Sequence, residues 1–178
     1  MPSIDQLPHI DDKGRLRAVI ESPQGSRNKL KYEPELATFV VDASLPAGMS
    51  FPFDFGFFPG TRAADGDPLD VLVLMDSPGY PGVIVPVRLL GVLEGTQSDD
   101  GGKPYRNDRL IAVADGTTER GNLRRLKDLD QQLMRQIESF FETYAGLTGK
   151  TFACIRDRGP RAALRLLEGA TQQRSKRV

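Results

Sequence analysis

Three carboxylates fall within six residues in Asp65-Gly66-Asp67-Pro68-Leu69-Asp70, directly before the apolar run Val71-Leu72-Val73-Leu74. Gly66 and Pro68 force a turn there, and Asp70 opens the strand that the apolar run predicts. Carboxylates crowded into one turn repel one another unless a cation relieves them, which suits a hard divalent ion held by oxygen. The same residues also suit an Asp/Gly/Pro turn whose carboxylates cap backbone N–H groups, and spacing alone leaves both readings open. The surroundings favour the first. Glu21 closes an apolar strand, Glu33 follows Lys31-Tyr32, and Asp99, Asp100 and Asp108 bracket a later hairpin. Interleaved with them are Lys29, Lys31, Arg62, Arg88, Arg109 and Lys150. Carboxylates that gather Mg²⁺ beside cations are the general apparatus for a phosphate-bearing substrate, although each cation taken singly reads as a solvated surface charge.

Composition removes the main rivals. One histidine, His9, and one cysteine, Cys154, argue against a Ser-His-Asp or Cys-His machine. They also exclude an internal disulfide and a Cys-based zinc site. A metal must then be held by oxygen, which favours Mg²⁺, Mn²⁺ or Ca²⁺. The 24 basic and 24 acidic residues cancel, so no whole-chain charge points to nucleic acid. The balance is uneven along the chain: residues 1–102 carry 8 basic and 15 acidic residues, and 103–178 carry 16 and 9. No apolar run approaches the ~18 residues of a membrane span, and the N-terminus lacks a charged-then-apolar signal pattern. A soluble, cytoplasmic protein without a membrane or nucleic-acid partner is expected.

The elements that must position these groups are mostly strands. Apolar runs at Arg15–Glu21, Leu30–Glu33, Thr38–Asp42, Val71–Met75, Val83–Leu93 and Leu110–Ala114 are separated by Gly, Pro, Asn and Asp clusters. From Asp128 the apolar residues recur at three- and four-residue spacing through Leu129, Leu133, Ile137, Phe140, Phe141 and Tyr144, which predicts a helix ending near Gly146. A short strand, Thr151–Ile155, precedes a second helix from Pro160 to about Gly169. Asp99–Pro104 reads as a polar hairpin and Gln172–Val178 as a frayed basic tail. The chain is expected to be one domain, residues 1–178, of mainly β α+β class: a barrel with two helices packed against it. With 39% hydrophobic residues it can build a real core.

The ordered motifs resemble the soluble, OB-barrel inorganic pyrophosphatases. They are Val19-Ile20-Glu21-Ser22-Pro23, Lys29-Leu30-Lys31-Tyr32-Glu33, Phe51-Pro52-Phe53-Asp54-Phe55-Gly56-Phe57, Asp65-Gly66-Asp67-Pro68-Leu69-Asp70-Val71, Arg88-Leu89-Leu90-Gly91-Val92-Leu93 and Phe140-Phe141-Glu142-Thr143-Tyr144. The likeness runs from about Arg15 to Phe152. It implies a five-stranded OB-like closed β-barrel, a metal-rich pocket lined by Lys, Arg and Tyr, and a homo-oligomer.

The resemblance carries over Glu21, Lys31, Glu33, Asp65, Asp67, Asp70 and Tyr144. By this likeness Asp67 would accept the proton of a metal-bridging water, and Asp65 and Asp70 would hold the first cation. Glu21 joins the metal ligands, and Lys31, Glu33, Arg109 and Tyr144 the substrate-binding groups. Several positions depart. The family has a phosphate-binding arginine where this chain has Ala43, a tyrosine at Phe55 and a phosphate-binding lysine at Ala145. Of two metal-ligand aspartates in the hairpin, the first falls on Gln97, or on Asp99 if an insertion intervenes. The second falls on Asn107 and the following lysine on Arg109. Asp108 is one residue away, on the opposite face by strand alternation unless a bulge intervenes.

Each lost phosphate contact of this charge-assisted kind is worth roughly 1.5–3 kcal/mol. Arg62 and Arg27 are the candidates to replace them. The first expectation is therefore Mg²⁺-dependent hydrolysis of inorganic pyrophosphate, or a related phosphoanhydride, by metal-activated water, with Mn²⁺ as the substitute metal. Asp67 is then the base, with Asp65, Asp70 and Asp99 or Asp108 as ligands, and the activity is weakened or redirected. The alternative is a non-catalytic relative that binds a metal, a phosphate ligand or a protein partner. An oligonucleotide-binding role is set aside because Trp is absent and Phe51, Phe53, Phe55 and Phe57 alternate like a strand core.

Overall fold

The computed structural model describes residues 3–63 and 66–175, with side chains as far as residue 171. Its elements in chain order are β1 (Leu16–Ser22), β2 (Asn28–Glu33), β3 (Thr38–Ser44), β4 (Asp54–Phe58), β5 (Leu69–Leu74), β6 (Ile84–Asp99), β7 (Tyr105–Arg106), β8 (Arg109–Ala114), α1 (Gln131–Leu147), β9 (Lys150–Arg158) and α2 (Pro160–Ser175). Five strands close into a ring. β1 pairs β4, β4 pairs β5, β5 runs parallel to β8, β8 pairs β6, and β6 returns to β1. The expected mainly β architecture with two helices is present.

The length of β6 makes the closure possible. Its first residues pair with β1, its middle with β8, and its far end with β7 and β9. A register shift between Leu89 and Gly91 bends it on the way. The tightest crossing is β1 on β4. A Cβ added to Gly56 would stand 1.9 Å from the Val19 carbonyl oxygen, so only glycine lets the two backbones approach there.

Both faces of the ring are buried, which explains why its strands read as continuous apolar runs. Leu72, Leu74, Ile111 and Val113 join an aromatic cluster with Phe51, Phe55, Phe140, Phe141 and Phe152 beneath α1. Their neighbours Val71, Val73, Leu110 and Ala112 join an aliphatic cluster closed by Ala163, Leu167 and Ala170 of α2. The alternation is that of a strand whose successive side chains leave by opposite faces. β2 and β3 form a separate two-stranded hairpin. Among the described residues no helix is long and apolar enough to cross a membrane.

Several boundaries differ from the sequence pattern. α1 starts at Gln131, because the Asp130 carboxylate accepts hydrogen bonds from the N–H groups of Gln132 and Leu133 as its N-cap. Asp128 instead belongs to a separate 3-10 turn, Leu126–Asp128. α2 continues to Ser175 rather than ending near Gly169, entering the stretch expected to be frayed. Residues 176–178 lie outside the described residues. β4 falls within the alternating Phe51, Phe53, Phe55 and Phe57 that read as a strand core, but it is absent from the apolar runs because Asp54 and Gly56 break them.

Candidate active site

β2 carries Lys29, Lys31 and Glu33 at alternate positions, so the three side chains leave by one face. That face looks across a cleft of about 440 Å³. Glu21 lines it from the end of β1, Phe55 and Phe57 from β4, Asp67 from the turn and Asp70 from β5. The far side is made by Gln97, Asn107, Arg109, Tyr144, Ala145 and Lys150. The turn that carries Asp67 needs Gly66, whose φ of 96° lies in the left-handed region.

The cations and carboxylates of the cleft meet in pairs. Lys31 Nζ is 3.5 Å from Asp67 Oδ2, and Arg109 donates to Asp70 Oδ2. Arg109 is buried, its guanidinium 5.4 Å from the Phe141 ring centroid and 6.0 Å from that of Phe152. Such stacking holds the planar fork in one orientation. Lys29 Nζ lies 2.6 Å from Asp42 Oδ2, and Lys150 Nζ 3.6 Å from Asp99 Oδ1. Glu21 is buried and accepts the Tyr32 N–H at 2.7 Å. Burial pushes its pKa up to about 7, against the pull of the Tyr32 N–H and of Lys29 and Lys31.

The hairpin side is neutral. Asn107 Nδ2 donates to Gln97 Oε1 at 2.7 Å, and Gln97 Nε2 donates to Tyr105 Oη at 2.8 Å. Phe55 offers a ring with no hydroxyl, packed 5.6 Å from Phe51 and 6.5 Å from Phe141. Ala145 is buried beside it.

Of the residues singled out from the sequence, Glu21, Lys31, Glu33, Asp67, Asp70, Arg109 and Tyr144 are brought together here. Asp65 lies outside the described residues. Asp99 and Asp108 do not line the cleft. Asp99 ends β6 at the exposed hairpin tip, engaged with Lys150. Asp108 faces away, as strand alternation requires between Asn107 and Arg109. Its Oδ1 accepts the Gly95 N–H at 3.0 Å and its Oδ2 accepts Arg106 Nη2 at 2.9 Å. Arg62 lies with it in a second cleft of about 250 Å³, and Arg27 donates to the Leu45 carbonyl at 3.1 Å. Neither arginine reaches the first cleft. Lys29 and Lys150 do. The period-two spacing of Lys29, Lys31 and Glu33 was the available signal for Lys29.

Every candidate ligand atom on the carboxylates and amides of the cleft is oxygen, and neither His9 nor Cys154 lines it. That donor set matches a hard divalent cation in kind. Among the described residues no three of His, Cys, Asp and Glu are close enough to hold one, so Asp65 would have to complete the set. Lys29, Lys31, Arg109 and Lys150, set among Glu33, Asp67 and Asp70, make a place for a compact, highly charged phosphate ligand with its metal.

Residues 18–175 match the family model described as inorganic pyrophosphatase. The chain is 38% identical over 152 residues to the inorganic pyrophosphatase of Methanosarcina acetivorans, covering 85% of this chain and 88% of that one. It is 35% identical over 168 residues to that of Thermus thermophilus, covering 94% and 90%. Among solved structures it is similar to the inorganic pyrophosphatase from Thermus thermophilus, with a TM-score of 0.86 and 33% identity over 98% of this chain and 99% of that one. The enzyme from Neisseria gonorrhoeae gives a TM-score of 0.84 at 32% identity, over 97% and 99%.

Proposed function

The chain belongs to the inorganic pyrophosphatase family, a family of hydrolases, and on that premise we propose that it hydrolyses inorganic pyrophosphate with Mg²⁺ in the cleft described above. The observation that carries this reading is the convergence of Asp67 and Asp70 with Lys31, Arg109 and Tyr144 around one cleft. Asp65, Asp67 and Asp70, with Glu21 behind them, would hold the metal, which when bound neutralises phosphoryl charge and makes water a better nucleophile. Asp67 takes a proton from the attacking water. The water oxygen bonds to phosphorus, the bridging P–O bond breaks, and the bridging oxygen leaves with the second phosphate. Lys31, Arg109 and Tyr144 donate to the phosphoryl oxygens and keep the two phosphates in line for that displacement.

The pairing pattern supports an exchange of partners. Lys31 and Arg109 are matched to the two carboxylates that the metal would occupy, so metal entry frees both cations for phosphate. The test is phosphate release from pyrophosphate with Mg²⁺ or Mn²⁺, comparing wild type with Asp67→Asn. No release, or release unchanged by the substitution, overturns the mechanism.

The Gln97–Asn107 hydrogen bond favours a second reading, a protein that binds pyrophosphate and metal with little turnover. Two amides stand where two carboxylates would draw in further cations. Tight pyrophosphate binding without phosphate release would select it. Assembly as a homo-oligomer and residence in the cytoplasm belong to the same proposal, and sedimentation of the purified protein tests the first.

A further inference from the structure

The second cleft, of about 250 Å³, backs onto the first, and Pro68, Asp70 and Asn107 line both. One of its walls is α2, where Arg165, Leu166, Gly169 and Ala170 fall on one face by the helical period. Gly169 and Ala170 carry almost no side chain, so the helix leaves room beside it. Arg62 comes from the segment opposite, and its backbone N–H donates to the Ala170 carbonyl at 3.1 Å, which fastens the two walls together. The volume falls below the roughly 300–1,000 Å³ of pockets for drug-sized molecules, so the ligand it suits is small.

The charges around this cleft are unevenly matched. Asp70 is answered by Arg109, and Asp108 by Arg106 at 2.9 Å. Arg62 and Arg165 have no ion pair among the described residues. A Cβ added to Gly66 would stand 3.7 Å from Arg62 Nη2, so the guanidinium lies over the glycine of the metal-binding turn. Between the charges the lining is apolar, from Ala63, Leu69 and Leu166. An apolar lining strengthens whatever charge-assisted contacts form beside it. Two guanidinium forks on a small cleft match an oxyanion that can accept from both.

We propose that Arg62 and Arg165 form a binding site for a small oxyanion of the phosphate class, separate from the active cleft and on the other side of the metal-binding turn. The site goes beyond the hydrolase reading and is tested apart from it. Inorganic phosphate is titrated calorimetrically, at low ionic strength, into the full chain stripped of metal on a chelating resin. Without metal Lys31 and Arg109 stay engaged with Asp67 and Asp70, whereas Arg62 and Arg165 need no such exchange. Wild type should bind phosphate with a Kd on the order of 1 mM. Arg62→Met and Arg165→Met together should weaken binding by at least about tenfold, and Lys31→Met by less than about twofold. Both arginines are exposed, so their loss should leave the fold intact. No binding by wild type overturns the assignment, as does binding that survives the double substitution in protein shown to be folded by circular dichroism. A loss on Lys31→Met as large as that of the double variant would place the phosphate in the first cleft and overturn it too. If wild type releases no phosphate from pyrophosphate, the hydrolase reading fails, and the titration still decides the role of the two arginines.

Discussion

The two sides of the cleft are built on opposite electrostatic plans. The side formed by β1, β2, the 66–68 turn and β5 carries Glu21, Lys29, Lys31, Glu33, Asp67 and Asp70. The facing hairpin and helix contribute Gln97, Asn107 and Ala145, with Arg109 and Lys150 as their only charges among the described lining residues. On the charged side Lys31 is matched by Asp67 and Lys29 by Asp42, which offsets the cost of crowding those ions. On the neutral side Gln97 and Asn107 satisfy each other, which two carboxylates could not do without a cation between them. One side therefore gains from a bound metal, and the other is complete without it.

Removing the base on the charged side should have the largest effect. Asp67→Asn is expected to slow phosphate release by about 10²- to 10⁴-fold, the usual range for a general base. A smaller loss would place the proton transfer on another group.

Glu21 gives the charged side a pH signature in the metal-free protein. Its folded pKa of about 7 lies above the ordinary value of 4.5, so the folded state holds the proton more tightly than the unfolded chain. That stabilisation is complete below pH 4.5 and is lost as pH rises from there through about 7. Its size is on the order of 3 kcal/mol. Urea unfolding of wild type should weaken over this window, and Glu21→Gln should flatten the profile. A Glu21→Gln profile as steep as wild type would assign the slope elsewhere.

Charging the neutral side sharpens the comparison further. The double variant Gln97→Asp/Asn107→Asp should bind Mg²⁺ about tenfold more tightly by calorimetry, since two hard anionic oxygens replace a self-satisfied amide pair. It should also unfold more easily without metal. Unchanged Mg²⁺ affinity would show that this side does not face the ion. The smallest effect is expected at the hairpin tip. Asp99 is exposed and already engaged by Lys150, so Asp99→Ala should change Mg²⁺ affinity by less than about twofold. A tenfold loss would bring Asp99 into the metal set.

Much of this arrangement was legible in residue order. The Asp67–Asp70 spacing marked the turn, strand alternation separated Asp108 from Asn107 and Arg109, and apolar periodicity located α1. Other features were not local. The last turns of α2 lack a continuous apolar stripe, so its full length did not announce itself. Arg62 lies only five residues before Asp67 in the chain, yet it lines the other cleft, because the turn reverses the backbone between them.

By itself the sequence determined the chemistry available: oxygen donors in a tight turn, cations at alternate strand positions, and only one histidine and one cysteine. These follow from residue type and from the two-residue period of a strand. Only the tertiary structure decided which charges meet. Parallel pairing of β5 with β8 set Arg109 beside Asp70, and pairing of β6 with β9 set Asp99 beside Lys150, away from the cleft. Such pairings depend on register between strands far apart in sequence, and a one-residue shift in register sends a side chain to the opposite face.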